Sequence, residues 1–296
     1  MLRLIKAEIY KLFKTKTFRV LCVVALLIGF VIAGLAKLTS SEDFIKSSLK
    51  GMTAKEQQQF IDQLQASSKE DAPVVTAGGG MGVHFASKDM FHPTAKELFH
   101  GTFGSSIIEI LLAVLIGAMV AREYSSGTIK NILAYGKKRE HYYISKTIAI
   151  TIGMIIILGI MVAVSTIVCT IMFGWGTDFD INQAAGILKT FGAAVIVGMA
   201  VISLIMLLAT LLKSNGSTIG IGIVIFTILP SVLSFLYGKF AWFDKIFEGT
   251  PSYNWALVTS IRSGNGDIMK GITISLATLV VASACGIIIF KRQDIK

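Results

Sequence analysis

The most informative scarcity in this sequence is charge. Charged residues make up 16% of the 296 positions, whereas hydrophobic residues make up 53%. A soluble domain averages about 25% charged residues. The charges are also clustered, and the uncharged window 147–177 is longer than the ~20 residues that cross a hydrocarbon core. This excludes one large soluble core. The sequence instead predicts an all-α polytopic membrane protein, with six transmembrane helices in a single transmembrane domain spanning residues 1–296.

Cysteine is scarce as well. Cys22, Cys169 and Cys285 are the three in the chain, and each lies inside an apolar run. None lies in an aqueous loop, so the spacing supports neither a disulfide framework nor a zinc site. We interpret them as small hydrophobic residues of the spans.

Motifs for energy-converting chemistry are absent. The sequence has no G-x-x-x-x-G-K-[ST] to cradle ATP, and the glycine cluster 78–80 is not followed by one. It has no H-E-x-x-H and no G-x-S-x-G elbow. The acid pairs of a proton-coupled carrier are also missing, because Glu109 is the lone acid within a predicted span. We therefore predict that the chain is not an enzyme and that the energy for its function comes from another protein.

The net charge of +10 has a topological pattern. If six spans place both termini inside, the inner pieces hold 16 Lys/Arg and four Asp/Glu, and the outer pieces hold 12 Lys/Arg and 13 Asp/Glu. This asymmetry follows the positive-inside rule and places basic groups near anionic headgroups. It argues for a lipid bilayer as the partner and against nucleic acid.

The N-terminal segment 1–19 carries six Lys/Arg and one Glu. Its apolar residues share one arc at 100° per residue, as in an interfacial amphipathic helix. They are Leu2, Ile5, Ile9, Leu12 and Phe13. A signal-peptide n-region is the alternative, but the following uncharged run 20–36 is longer than the usual h-region of about 7–15 residues. We favour an uncleaved first span.

A long polar segment, residues 37–101, is predicted to be an extracytoplasmic loop. Thr53 with Glu56, and Thr94 with Glu97, have the spacing of capping boxes, and the second is expected to open a helix that runs into the next span. His84, His92 and His100 recur every eight residues without cysteine, which favours solvated or interfacial histidines over a metal site. Metal binding is not predicted.

Two features in the later spans are candidates for a translocation path. Glu109 lies inside the second span, where an ionisable group is costly unless paired or hydrated. The alternative is that it reaches the outer interface. Pro230 is expected to kink the fifth span. Residues 239–270 are rich in aromatics and predict one or two short helices at the outer surface, broken at 249–251.

The stretch 122–146 lies between the second and third spans and holds six Lys/Arg against two acids. Such a basic segment is expected to face the cytoplasm. Gly127 precedes a short amphipathic piece with Ile129, Ile132 and Leu133 at i, i+3 and i+4. The pattern fits either a charged topology anchor or a short surface helix that a soluble partner grips.

Glu123, Gly127-Thr128, Lys130, Leu133, Arg139 and Lys146 together resemble the E-x-x-x-G-T…L…R…K signature of type-2 ABC transporter permeases. In that family this loop carries the coupling helix that docks on a separate ATPase. The resemblance implies the following coupling residues: Glu123, Gly127, Thr128, Ile129, Lys130, Leu133, Arg139 and Lys146. It further implies that Ile129 and Leu133 fill a groove on the ATPase, and that Lys130 and Arg139 pair with its acids.

The resemblance also implies the setting. The chain would be the permease of an exporter in a bacterial cytoplasmic membrane, multi-pass with both termini cytoplasmic. Its partners would be an ABC ATPase subunit, which holds ATP and Mg²⁺, and a second, identical or related permease. No cofactor is expected in this chain. An apolar path suits an amphipathic or hydrophobic cargo such as an antimicrobial peptide, lipid or drug. Two alternatives remain: a receptor or scaffold that uses the 37–101 loop, and an ion-coupled carrier that uses Glu109.

Overall fold

The structure is a computed structural model that describes residues 1–69, 89, 91–104, 106–129 and 138–293. Within these residues the chain forms α-, π- and 3₁₀-helices and no strand, which confirms the predicted all-α class. Several positions singled out by the sequence lie outside the described residues: 78–80, His84, Lys130, Ile132 and Leu133.

The N-terminal segment forms α1 (Leu2–Lys14), and the chain turns at Thr15 into the first long apolar helix, α2 (Lys16–Thr39). The amphipathic helix is present as predicted, but its apolar arc is divided. Leu12 is fully buried, whereas Leu2 and Phe13 are exposed. This exposed side is suited to lipid contact.

The polar segment begins with α3 (Glu42–Ser48) and α4 (Ala54–Lys69) and ends with α5 (Ala95–Phe103). Both predicted capping boxes are confirmed. The backbone N–H of Glu56 donates to Thr53 Oγ1, and that of Thr53 donates to Glu56 Oε2. Thr94 and Glu97 exchange the same two bonds, which satisfies the free N–H groups of the helix start.

The second span does not continue from α5, so the prediction of one helix from Thr94 into the span is wrong. α5 ends at Phe103, and Ser106 has φ 51°, a left-handed conformation that a helix cannot contain. The chain resumes as α6 (Ile107–Ile116), widens to a π-helix at Gly117–Ala121 and ends as α7 (Arg122–Ser125).

The third and fourth spans, α8 (Arg139–Phe173) and α9 (Ile181–Leu212), start earlier than the hydropathy predicts. The reason is that a helix continues past the hydrocarbon region into polar sequence when its backbone groups are capped. For α9, the side chain of Asp180 accepts from the N–H of Gln183. α8 ends at Phe173, and Gly174 after it has φ 74°, a conformation that favours glycine.

The fifth span covers 215–236 and is broken. It comprises α10 (Asn215–Ile223), a second π-helix (Val224–Ile228), α11 (Leu229–Leu233) and a 3₁₀ turn (Ser234–Leu236). The predicted disturbance at Pro230 takes the form of the π-helix just before it, because proline supplies no N–H to the preceding turn. The Ser231 hydroxyl donates to the Thr227 carbonyl at 2.8 Å.

The aromatic segment contains two short helices, α12 (Ala241–Glu248) and α13 (Pro251–Thr259), separated at Gly249–Thr250 as the sequence predicts. The last helix is α14 (Asn265–Arg292). α9 packs mainly against α14, and α2 packs mainly against α8.

Five helical stretches of the described chain are long and apolar enough to cross a membrane: α2, α8, α9, 215–236 and α14. The pair formed by α5 and residues 107–125 passes the same test together, with a bend of 42°, and gives a sixth span if it crosses as one unit. The chain is therefore an integral multi-pass membrane protein.

The bundle has two distinct ends. At one, which we name the charged end, α1 meets the start of α8, and the end of α14 lies beside it. At the opposite end, the N–H of Ala95 donates to the carbonyl of Gly174, and the Trp255 indole donates to the carbonyl of Phe103. His100 contacts the Thr259 carbonyl there, so this histidine is partly buried rather than solvated.

Candidate functional site: a buried ion cluster at the charged end

Glu8 of α1 is the only acid among the first 19 residues, yet its side chain is 1% exposed. It is buried because it shares a helix face with Leu12 at i+4, which is fully buried and lies beside Gly153 of α8. Its Oε1 lies 2.9 Å from Lys11 Nζ, and its Oε2 lies 2.6 Å from Lys146 Nζ. A buried carboxylate needs such cationic partners.

Lys146 lies two turns into α8, and its side chain is 1% exposed. Besides the contact with Glu8, its ammonium donates to Glu123 Oε1 at 2.7 Å and to the carbonyl of Met119 at 2.9 Å. Two of the three donors of this ammonium are therefore engaged in hydrogen bonds, and Glu8 adds an ion pair. Met119 belongs to the first π-helix, and such widened turns are frequent at functional sites.

Glu123 of α7 links the cluster to the 122–146 region. Its Oε2 accepts a short hydrogen bond from the Tyr142 hydroxyl, and its Oε1 lies 3.4 Å from Lys11 Nζ. Burial alone would lower the pKa of Lys11, but Glu123 and Glu8 outweigh it and raise this pKa above its usual value. Lys11 therefore stays charged at neutral pH, and two ammonium groups balance two carboxylates.

Two groups of contacts fix the 122–146 region, and we name them anchors. The ion cluster is the first, and the contacts of Arg139, at the start of α8, are the second. Its Nη1 donates to the carbonyls of Phe290, Lys291 and Gln293 at 2.9, 3.0 and 2.6 Å. The guanidinium also lies 5.9 Å from the centre of the Phe290 ring. A cation that binds the last carbonyls of a helix stabilises its C-terminus, here that of α14.

The same anchor reaches α9. Gln293 Nε2 donates to the carbonyl of Thr210 at 2.9 Å, and Lys291 Nζ lies 2.6 Å from Glu140 Oε2. The Phe290 ring also lies 5.6 Å from that of Tyr142, which belongs to the ion cluster. The two anchors are therefore in contact through aromatic side chains.

The sequence-predicted coupling residues lie in different parts of the structure. Glu123 and Lys146 contact each other in the ion cluster, whereas Arg139 lies in the second anchor. Gly127 has φ 70°, a conformation that favours glycine, and Thr128 beside it is exposed and hydrogen-bonded to Ser126. Ile129 is 1% exposed and packs in the core, while Lys130 and Leu133 lie outside the described residues.

The sequence analysis did not identify five residues of the ion cluster and the Arg139 contacts: Glu8, Lys11, Tyr142, Phe290 and Gln293. Only Glu8 carried a signal, because a lone acid at i−3 and i+4 from apolar residues belongs on the buried face. The others depend on contacts between segments far apart in sequence.

The two candidate translocation-path residues lie away from these anchors. Glu109, in the first turn of α6, is 2% exposed, and its Oε2 has no hydrogen-bond partner among the residues that the structure describes. The Thr227 hydroxyl, in the π-helix before Pro230, has none there either. Within the described ranges, no group of three or more metal-ligating side chains occurs.

Five candidate membrane-crossing helices, or six if the bent pair crosses as one unit, define a polytopic membrane protein with a buried ion cluster at one end. A sequence profile for the ABC-2 family transporter proteins matches residues 2–295, which is nearly the whole chain, so the protein belongs to that family. It is thus a membrane permease subunit of an ABC transporter, and such subunits carry no ATPase of their own. No curated protein sequence matches it significantly.

Proposed function

We propose that this protein is the permease of an exporter driven by a separate ABC ATPase that docks on residues 126–138. The observation that carries the proposal is that both flanks of this segment are fixed by buried or charged contacts. Glu123 holds one flank to Lys146, which in turn pairs with Glu8, and Arg139 holds the other flank to the end of α14. A segment fixed in this way transmits a displacement to the helices instead of absorbing it.

The contacts indicate which helices would move together. The ion cluster joins α1, α7 and α8, and the Arg139 anchor joins α8, α14 and, through Gln293, α9. A push on residues 126–138 would therefore reach four helices of the bundle and α7 as one unit. This favours rigid-body tilting, in which packed helices keep their contacts while they rotate.

The contacts also refine the role of each coupling residue. Lys146 is too deeply buried to touch a second protein, so we assign it and Glu123 to the stem that carries the segment. Gly127 supplies the turn. Because Ile129 is buried in this chain, contact with the ATPase falls to Thr128, Lys130 and Leu133.

We infer that the charged end faces the cytoplasm of a bacterium and that both termini lie there. The excess of basic residues at this end supports that orientation. Span 215–236 and α14 bury only 22% and 17% of their most apolar windows within one chain. Their exposed faces would meet lipid and a second permease subunit, and an amphipathic or hydrophobic cargo fits the mostly uncharged spans.

Affinity capture tests the proposal. The chain is coexpressed with candidate ABC ATPases of its own organism, and both recovery of an ATPase and stimulation of ATP hydrolysis are measured. Gly127→Pro and Arg139→Glu are expected to reduce both readouts while membrane insertion is retained. Gly192→Ala, in a helical position where an added Cβ meets nothing within 4 Å, is the control. Wild-type capture and hydrolysis in both loop variants would remove the assignment.

A further inference from the structure

A cleft of about 300 Å³ opens at the charged end, at the corner between α1 and α2. Its walls come from α1, the first π-helix, α7 and α8. They are formed by Tyr10, Lys11, Lys14, Thr15, Ala118, Met119, Glu123 and Lys146. Three ammonium groups and one carboxylate thus line a single small opening.

The charges of the cleft are not all compensated. Lys146 and Lys11 are paired with Glu123 and Glu8. Lys14 is exposed and forms no ion pair in the part of the chain that the structure describes, where its ammonium lies 5.6 Å from the centre of the Tyr10 ring. Arg19 adds a second exposed cation at the corner, because its Nη2 donates to the carbonyl of Lys14 at 3.2 Å.

An apolar stripe continues from this corner along α2. Val20, Val23 and Leu27 follow Arg19 at helical spacing, and their side chains are 58%, 58% and 56% exposed. Since α2 is long and apolar enough to cross a membrane, this exposed stripe is suited to contact with acyl chains. The cleft therefore lies where the headgroup of a lipid seated along the stripe would be.

We propose that this cleft binds the phosphate of an anionic phospholipid, with Lys14 and Arg19 as its cationic ligands. Tyr10 and Thr15 offer hydroxyl groups beside them, and the acyl chains lie along Val20, Val23 and Leu27. A soluble acidic segment of a partner protein would match the cations but would leave the apolar stripe unused. The site depends on the membrane placement of α2 and not on docking of an ATPase.

The lipid would also touch the ion cluster. Lys11 and Glu123 are shared between the cleft wall and the cluster. A phosphate beside Lys14 thus lies next to the contacts that hold α1 to α7 and α8, and its binding strengthens the α1–α2 corner.

The test uses the full-length permease without its ATPase, in nanodiscs of phosphatidylcholine with or without phosphatidylglycerol. Native mass spectrometry measures the lipid retained, and thermal unfolding measures stabilisation. The double variant Lys14→Gln/Arg19→Gln is compared with Arg3→Gln/Lys6→Gln, which removes the same charge from exposed positions of α1 outside the cleft. The first variant is expected to lose about a hundredfold in phosphatidylglycerol retention, because two hydrogen bonds to a charged phosphate are removed, whereas the control is expected to stay close to the wild type.

An equal loss of lipid in both double variants would overturn the proposal, because it shows surface electrostatics alone, and so would no loss in either. Displacement of the lipid by soluble glycerol phosphate at equal concentration would also overturn it, because it shows a site for free phosphate. The fourth contrary outcome is loss of ATPase binding, in a separate capture experiment, with lipid retention unchanged. Unfolding in pure phosphatidylcholine checks that the variants are folded. A failure here leaves ATPase docking on residues 126–138 untouched, because the lipid measurement contains no ATPase.

Discussion

The ammonium of Lys146 lies 2.6 Å from the carboxylate of Glu8, and both side chains are 1% exposed. This contact joins the N-terminal surface helix to the third span. Removing one partner of a buried ion pair leaves an uncompensated charge and costs about 3–5 kcal/mol.

Lys146→Met is therefore expected to lower the unfolding temperature of the purified protein strongly, and Glu8→Leu to do the same. The double variant Glu8→Leu/Lys146→Met should lose less than the sum of the two, because no charge of that pair is left alone. Thermal unfolding in detergent measures all three. Strictly additive losses would show that the two side chains act independently.

Two adjacent tyrosines of α8 provide a matched comparison. The Tyr142 hydroxyl donates to Glu123, whereas the buried hydroxyl of Tyr143 has no hydrogen-bond partner among the described residues. Tyr142→Phe should cost about 1.5–3 kcal/mol, the usual value for a hydrogen bond to a charged group. Tyr143→Phe should be neutral or stabilising, because it removes an unsatisfied polar atom. The same unfolding assay compares the two, and equal losses would contradict the assignment of the Glu123 contact.

Gly127 is expected to tolerate only residues that accept a left-handed backbone. Its φ is 70°, and an added Cβ would meet nothing within 4 Å, so strain arises from the backbone alone. Gly127→Val should cost about 1–2 kcal/mol locally and reduce capture of the ATPase, whereas Gly127→Asn should retain capture. Recovery of the ATPase in pull-downs decides between them. Equal capture by the two variants would show that this turn does not position the docking segment.

The Arg139 anchor predicts a local effect at the C-terminus. Arg139→Lys keeps the charge but loses the planar group that contacts three carbonyls and the Phe290 ring. Backbone amides at the end of α14 should then exchange with solvent faster. Hydrogen-exchange mass spectrometry measures this, with Arg292→Lys, an exposed position on the same helix end, as the control. If the amides at the end of α14 exchange at the same rate in Arg139→Lys and the wild type, the Arg139 contacts do not stabilise that helix end.

Glu109 contrasts with Lys146. Both are buried, but Glu109 has no ion pair within the described ranges, so a carboxylate there has no charge to compensate it. Glu109→Gln is therefore expected to leave the unfolding temperature unchanged or to raise it. Glu109→Lys should prevent stable insertion. A loss in Glu109→Gln as large as that in Lys146→Met would reveal a partner for the carboxylate and favour a function for it.

Local sequence predicted much of the fold. Apolar windows located the spans, Thr53 and Thr94 with their glutamates located two helix starts, and residues 249–251 located the break between two short helices. Each of these depends on residues within a few positions of one another. The break before Ile107 and the two π-helices were not predicted. Where a helix widens or stops inside an apolar run depends on the packing of its neighbours.

The sequence by itself determined that this chain is helical, that it crosses a membrane several times, and that a basic segment with a permease signature separates two spans. These properties follow from hydropathy, charge and short-range spacing. Only the tertiary structure decided that Glu123 and Lys146 turn inward to meet Glu8 and that Arg139 holds the end of α14. Burying several charged side chains together requires opposite charges to stabilise them, and in this cluster most of those charges come from distant segments that the fold alone brings together.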